Sequence, residues 1–274
     1  MISHKNIECY KGMSLSRGNN FLYVPPHILL QPYISCYTIT FPIDMANNYT
    51  ILPTASSTMV ISVSTNHISS NLRGVNTKAC NVGARANKMK FLLLIEFHSG
   101  CLYPFLNVDQ FELTDNAFQL NELDKILTQS IENELMKSEC IEDLIKALDR
   151  IFITRLMDYK AGKGVTAMMN KITTLNGGIS MRDLSSEFYY SEKHIRRLFL
   201  QYVGTTPKTF SRIVRVNYAL RLLQSNSTHL IDVATQAGFF DQPHFIHEFK
   251  TICGLSPQGY IQNMSLFYND EFKM

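Results

Sequence analysis

The chain has 274 residues, 45% of them hydrophobic and 18% charged, the composition of a globular protein with room for two ordinary cores. No apolar run approaches the roughly 18–20 residues of a membrane helix, and residues 1–20 are mostly polar, without the apolar segment of a secretion signal; a cytoplasmic location and no membrane partner are expected. The formal net charge of +3 excludes no partner by itself, but residues 164–264 hold ten basic side chains against six acids, so the last third is where a polyanion would bind.

The first half reads as strands. Tyr33–Phe41 and Thr58–Val63 are rich in β-branched and aromatic residues, Phe91–Phe97 joins them, and Pro25-Pro26, Pro42, Pro53 and Asn/Gly clusters punctuate the series. A β-rich region over 20–115, a small barrel or sandwich, follows from this pattern. Residues 116–160 are expected to be helical. Leu120–Tyr159 contains neither Gly nor Pro, and Ile141, Leu144, Ile145, Leu148, Ile151, Phe152, Arg155 and Leu156 recur at the period of an amphipathic helix. Such a stripe serves core packing or a dimer. Lys160–Gly164 breaks the helix and is placed as the linker between residues 1–160 and 164–264, with 265–274 as a tail. It lacks the spacing of a phosphate loop.

From Val165 onward the chain reads as helices with short interruptions. Val165–Leu175 closes at Gly177-Gly178. Ser180 with Asp183 caps a short helix to Phe188, and Ser191 caps another that runs to Val203 and ends at Gly204. Thr206-Pro207 opens a long helix, Lys208–Gln224. Leu230–Ala237 ends at Gly238, Asp241 caps a helix that tolerates Pro243 in its first turn and ends at Gly254, and Ser256-Pro257 opens a last one through Met264.

Two stretches therefore repeat one plan of short helix, tight turn and capped longer helix, which is the plan of a helix-turn-helix whose second helix enters a major groove. In the first, Ile195, Leu198, Phe199 and Tyr202 share a core face. Lys193, Arg196 and Arg197 lie opposite, near the capped end, where long cations suit a phosphate-lined groove and Arg suits guanine O6 and N7. In the second, Phe245, Phe249 and Ile252 pack inward and Gln242, His244 and His247 face outward. His244 and His247 have no third ligand nearby except Glu248, which lies off their stripe, so no metal site is expected.

Enzyme chemistry has no foothold in this pattern. No G-x-S-x-G, G-x-G-x-x-G, H-E-x-x-H or C-x-x-C occurs, and His67 and His98 are isolated. The six cysteines, Cys9, Cys36, Cys80, Cys101, Cys140 and Cys253, are scattered and read as reduced thiols. No cofactor and no catalytic residue are expected.

The residues Leu184, Ser191, His194-Ile195, Arg197-Leu198-Phe199, Gly204, Pro207, Arg215, Ala219, Leu222-Leu223, Ile231-Asp232-Val233-Ala234, Gly238-Phe239, Asp241-Gln242, His244-Phe245, Phe249-Lys250, Gly254, Ser256-Pro257 and Tyr260 carry a resemblance. Over Ile179–Tyr260 the chain resembles the DNA-binding domain of the AraC/XylS family of transcription regulators. The resemblance implies an α+β chain: an N-terminal β-rich, cupin-like barrel with a helical segment that senses an effector or dimerises, then seven helices forming two helix-turn-helix units on the connector Lys208–Gln224. It implies base contacts by Lys193, Arg196, Arg197, Gln242, His244 and His247 in successive major grooves, roughly 34 Å apart. Ser191, Lys208, Arg215 and Lys250 are the expected phosphate contacts. Promoter DNA is the implied partner, with RNA polymerase, an N-terminal small-molecule effector and a second copy of the chain as further candidates. The implied activity is sequence-specific transcription control, as an activator. The alternative is the same module with an N-terminal half that only dimerises or binds a protein. Leu92–Leu123, with Glu96–Gly100 and Leu113-Thr114-Asp115, is similar to one uncharacterised subgroup of the family's sensor regions. The second recognition helix departs from the pattern: it has no Arg on its groove face, and Glu248 is close by.

Overall fold

Alternating apolar side chains build the first half into a sheet. The computed structural model describes residues 2, 5–18, 20–42, 50–65, 67–81, 88–157, 163–225 and 229–262. The first half runs α1 (Lys5–Cys9), β1 (Ser16–Arg17), β2 (Phe21–Val24), β3 (Ile34–Thr40), β4 (Thr50–Ile51), β5 (Thr58–Val63), β6 (Ile68–Arg73), β7 (Cys80–Asn81), β8 (Phe91–Phe97), α2 (Tyr103–Leu106), α3 (Gln110–Leu113), β9 (Ala117–Gln119), α4 (Leu120–Leu123), α5 (Lys125–Lys137) and α6 (Ile141–Met157). Seven strands pair in the order β1-β2-β3-β8-β5-β6-β9, and β4 pairs β7 separately. All of these pairings are antiparallel.

In β8, Phe91, Leu93, Ile95 and Phe97 are buried and Leu92, Leu94 and Glu96 half-buried, the period of two that a pleated strand imposes. The buried face packs on α5 and α6, where the expected stripe is spent. Ile141, Leu144, Ile145, Leu148 and Phe152 are buried within the chain, and Phe152 meets the rings of Phe97 and Phe105 at 6.0 and 5.4 Å. Arg155 is not a packing residue; it pairs with Asp124 and donates to the Phe105 carbonyl at 3.0 Å. Tyr37 donates to Asp149 Oδ1 of α6 at 3.0 Å, and burial, aided by that carboxylate, pushes its hydroxyl well above the ordinary 10.0.

Ala117–Gln119 corrects the expectation that helix begins at 116. These residues pair with Asn71–Arg73 of β6, because the open edge of the sheet offers unmet backbone donors and acceptors there. The six cysteines carry no disulfide. The expected linker falls largely on residues outside those described, as do Met264 and the tail 265–274.

The second half is α7 (Lys163–Thr174), α8 (Met181–Phe188), α9 (Glu192–Val203), α10 (Pro207–Gln224), α11 (Leu230–Gln236), α12 (Gln242–Cys253) and α13 (Pro257–Gln262). Its core gathers around α10, whose Phe210, Ile213, Val216, Ala219, Leu220 and Leu223 are buried. The same core takes in Leu52, Ala55 and Val75 from the first half. Further contacts join the halves: Thr114 Oγ1 donates to the Gly204 carbonyl at 2.6 Å, Asn217 Nδ2 to the Pro53 carbonyl at 3.2 Å, and the Ala79 amide to the Ile252 carbonyl at 2.8 Å. The rings of Tyr103 and Tyr202 meet at a tilt of 59° with centroids 4.6 Å apart. Among the described residues no helix is long and apolar enough to cross a membrane.

Candidate nucleic-acid interface

Each recognition helix is set by its cap. Ser191 accepts from the His194 amide at 3.2 Å, and Asp241 Oδ1 from the His244 amide at 2.7 Å, meeting backbone donors that a helix start leaves unpaired. Both helices end on a glycine in the left-handed region, Gly204 at φ +83° and Gly254 at φ +77°. Counted from the cap, three buried positions coincide. Four, eight and twelve residues on stand Ile195, Phe199 and Val203 in α9, and Phe245, Phe249 and Cys253 in α12, all buried. The two units are one scaffold used twice.

The residue types on the outward face do not coincide. Lys193, Arg196 and Arg197 are exposed on α9, and among the described residues none of them joins an ion pair. Arg197 Nη2 lies 3.4 Å from His194 Nδ1. At the corresponding positions α12 has Pro243, half-buried Ile246 and exposed His247. His244 is exposed too, and Gln242 is half-buried. Leu198 and Tyr202, expected in the core, are half-buried, and Tyr202 turns to Tyr103.

Glu248 is held away from the groove face. Arg212 of α10 donates to it twice, Nε to Oε2 at 2.6 Å and Nη2 to Oε1 at 3.0 Å, a forked geometry. Burial alone would raise the Glu248 carboxyl, yet the hydrogen bonds and charge of Arg212, with His244 and His247, hold it below its ordinary 4.5. The spacing of 36 residues between Arg212 and Glu248 gives no periodic signal, so the sequence did not reveal the pair.

Of the expected phosphate contacts, Ser191, Lys208 and Lys250 are exposed, at the start of α9, the start of α10 and the last turn of α12. Arg215 does not join them. Its Nη2 donates to the Gly177 carbonyl at 2.9 Å and its guanidinium sits 5.6 Å over the Phe239 ring. It ties α10 to both units instead of reaching outward. Asp109, the cap of α3, and Phe111 within it line the same groove as Lys193, Arg196 and Arg197, an approach of the first half that sequence spacing could not show. Among the described residues no three His, Cys, Asp or Glu side chains cluster as metal ligands.

Residues 184–263 match a family model described as "Helix-turn-helix domain", and residues 23–119 one described as "Domain of unknown function (DUF6597)". The chain is 29% identical over 151 residues to the uncharacterized HTH-type transcriptional regulator YidL of Escherichia coli (strain K12), covering 53% of this chain and 50% of that protein. It is 30% identical over 86 residues to the HTH-type transcriptional activator AarP of Providencia stuartii, covering 31% and 64%. The chain thus spans about half the length of the first of the curated relatives it matches. Among solved structures it is similar to ToxT from Vibrio cholerae O395, at TM-score 0.40 and 13% identity over 80% of this chain and 94% of that one. The C-terminal domain of AraT from Geobacillus stearothermophilus gives TM-score 0.36 and 21% identity over 40% and 93%. Two units built on one capped scaffold, together with the match over 184–263, make the C-terminal third a helix-turn-helix domain.

Proposed function

We propose that the chain is a cytoplasmic, non-enzymatic transcription regulator that binds promoter DNA by placing α9 and α12 in successive major grooves. The observation that carries this reading is the capped N-terminal half of α9, with Lys193, Arg196 and Arg197 exposed on one face and outside any ion pair among the described residues. Three long cations beside the positive end of a helix dipole suit phosphates and guanine edges. Gln242, His244 and His247 supply the second reading face, which has no Lys or Arg. Ser191, Lys208 and Lys250 anchor phosphates and set affinity more than sequence choice.

Activation is the proposed sign of control, extended from the relative AarP, which is named an activator; RNA polymerase is then the protein partner. The N-terminal region is the proposed seat of a small-molecule effector or of contact with a second copy. A ligand that binds only the native fold there raises the melting temperature of the full chain.

The test is fluorescence-anisotropy binding of the full chain to a site selected from a random library, against random DNA of equal length, across a salt series. Selective binding whose log affinity falls linearly with log salt is expected, the slope counting the phosphate contacts. Equal affinity for both DNAs at every salt concentration would remove the proposal of sequence-specific control.

A further inference from the structure

The turn leading into α12 sends one phenylalanine inward and the next outward. Phe239 is 8% exposed and packs on Phe245 and His244, at 5.1 and 5.6 Å between centroids, whereas Phe240 is 92% exposed. A single exposed apolar side chain is common and means little alone. Three observations set this one apart. Phe240 stands immediately before the cap Asp241, at the end of the recognition helix whose first residues reach base edges.

Its backbone is also fixed. The Gly238 amide donates to Thr235 at 3.1 Å and the Phe239 amide to Ala234 at 2.9 Å. The Phe240 amide faces His244 Nδ1 at 3.4 Å, and Asp241 closes the cap. The ring is therefore presented on a set support. Finally, the outward positions that follow carry no Lys or Arg: Asp241 is spent on the cap, Gln242, His244 and His247 come next, and Glu248 is paired with Arg212. Such a face has little to offer phosphates and much to offer an apolar feature of the groove. The apolar feature of the major groove is the C5 methyl of thymine. In the first unit the residue in the same place, Tyr190, turns its ring to His194 at 4.8 Å and is 39% exposed, and the outward ring is Tyr189, 94% exposed and one residue further from the cap, so an outward aromatic directly against the cap belongs to the second unit.

We infer that Phe240 is a specificity-determining residue of the second unit, its ring packing on the C5 methyl of one thymine in the groove that α12 enters. The inference rests on the DNA-reading role proposed above. In the test, each thymine of the library-selected site is replaced in turn by deoxyuridine, which removes only the methyl, and binding of the full chain is measured. One position costs the wild-type chain about fourfold in affinity, the equivalent of roughly 0.8 kcal/mol for one buried methyl group. Phe240→Ala binds the thymine and uracil forms of that position equally, while Phe240→Leu retains part of the preference. Both variants keep the wild-type melting temperature, since the ring is almost wholly in solvent.

A methyl penalty unchanged in Phe240→Ala, a loss in that variant equal on every site, or no penalty at any thymine overturns the assignment while leaving selective binding intact. Wild-type chain that fails to prefer the selected site over random DNA removes the DNA-reading role itself, and this inference with it.

Discussion

The two helix-turn-helix units keep apolar side chains at the same places where they pack and carry different kinds of residue where they face outward. Ile195, Phe199 and Val203 are answered by Phe245, Phe249 and Cys253 at identical distances from the cap, all buried. Lys193, Arg196 and Arg197 are answered by Pro243, Ile246 and His247. Packing constrains the first set, since a core position must be apolar and of suitable volume. Only the ligand constrains the second. Under the proposed DNA-reading role, the difference gives the two groove faces different work: that of α9 supplies charge, hence affinity and salt dependence, and that of α12, apart from the anchor Lys250, supplies contacts without Lys or Arg, hence discrimination with less salt dependence.

The units also differ in how they meet the N-terminal half, and the sharpest test uses their terminal glycines. An added Cβ at Gly204 would stand 2.7 Å from Thr114 Oγ1 and 2.8 Å from the Gln110 carbonyl, whereas at Gly254 the nearest atom is Ala79 Cβ at an ordinary 3.7 Å. Both alanine variants bear the left-handed backbone, about 1–2 kcal/mol. Only Gly204→Ala also crowds the N-terminal half, adding roughly 1–3 kcal/mol. Urea midpoints should therefore fall further for Gly204→Ala than for Gly254→Ala. Equal falls would show that the first unit does not bear on α3.

Next in size is the groove face itself, compared at one register position. Arg197→Ala should cost about 1–3 kcal/mol on the selected site and relax preference at one base pair. His247→Ala, its counterpart in α12, should cost less and leave the salt slope unchanged, while Lys193→Ala should lower the slope by about 1. Anisotropy titrations at three salt concentrations measure all three. Losses for Arg197→Ala that are equal on target and random DNA would turn it from a base reader into a phosphate anchor, and the proposed division of labour would fail.

Much of this scaffold was legible in the sequence because local signals set it. Ser180, Ser191, Thr206 and Asp241 accept the expected cap hydrogen bonds, and strands β5 and β8 begin and end where β-branched and apolar runs do. What was hidden depends on distant partners. β6, with the sequence ISSNLR, has no strong strand composition and is held by ladders to β5 and β9. Arg215 looked like a free cation until the fold put Gly177 and Phe239 beside it. Glu248 looked like a repulsive charge near the groove until Arg212 met it across 36 positions. The candidate site was thus readable in its exposed residue types and unreadable in which of them the fold leaves uncommitted.

That last pair gives the smallest effect and a check on why the α12 face behaves as neutral. The Glu248 carboxyl is held below its ordinary 4.5, so its ionised form is the one the fold favours. A depressed carboxyl adds stability that is fully present above the unfolded value and is lost as pH falls through the folded value. Glu248→Gln keeps an acceptor for Arg212 and removes the charge. With the Arg212 and Glu248 side chains 35% and 15% exposed, the loss at pH 7 should be about 1 kcal/mol or less. The difference between wild type and Glu248→Gln should be present at about pH 5 and above and close as the carboxylate protonates below 4.5. Denaturant midpoints of both proteins across that range decide it. A gap that persists at low pH would mean that shape, not charge, holds the pair together, and the neutrality of the second face would then need another source.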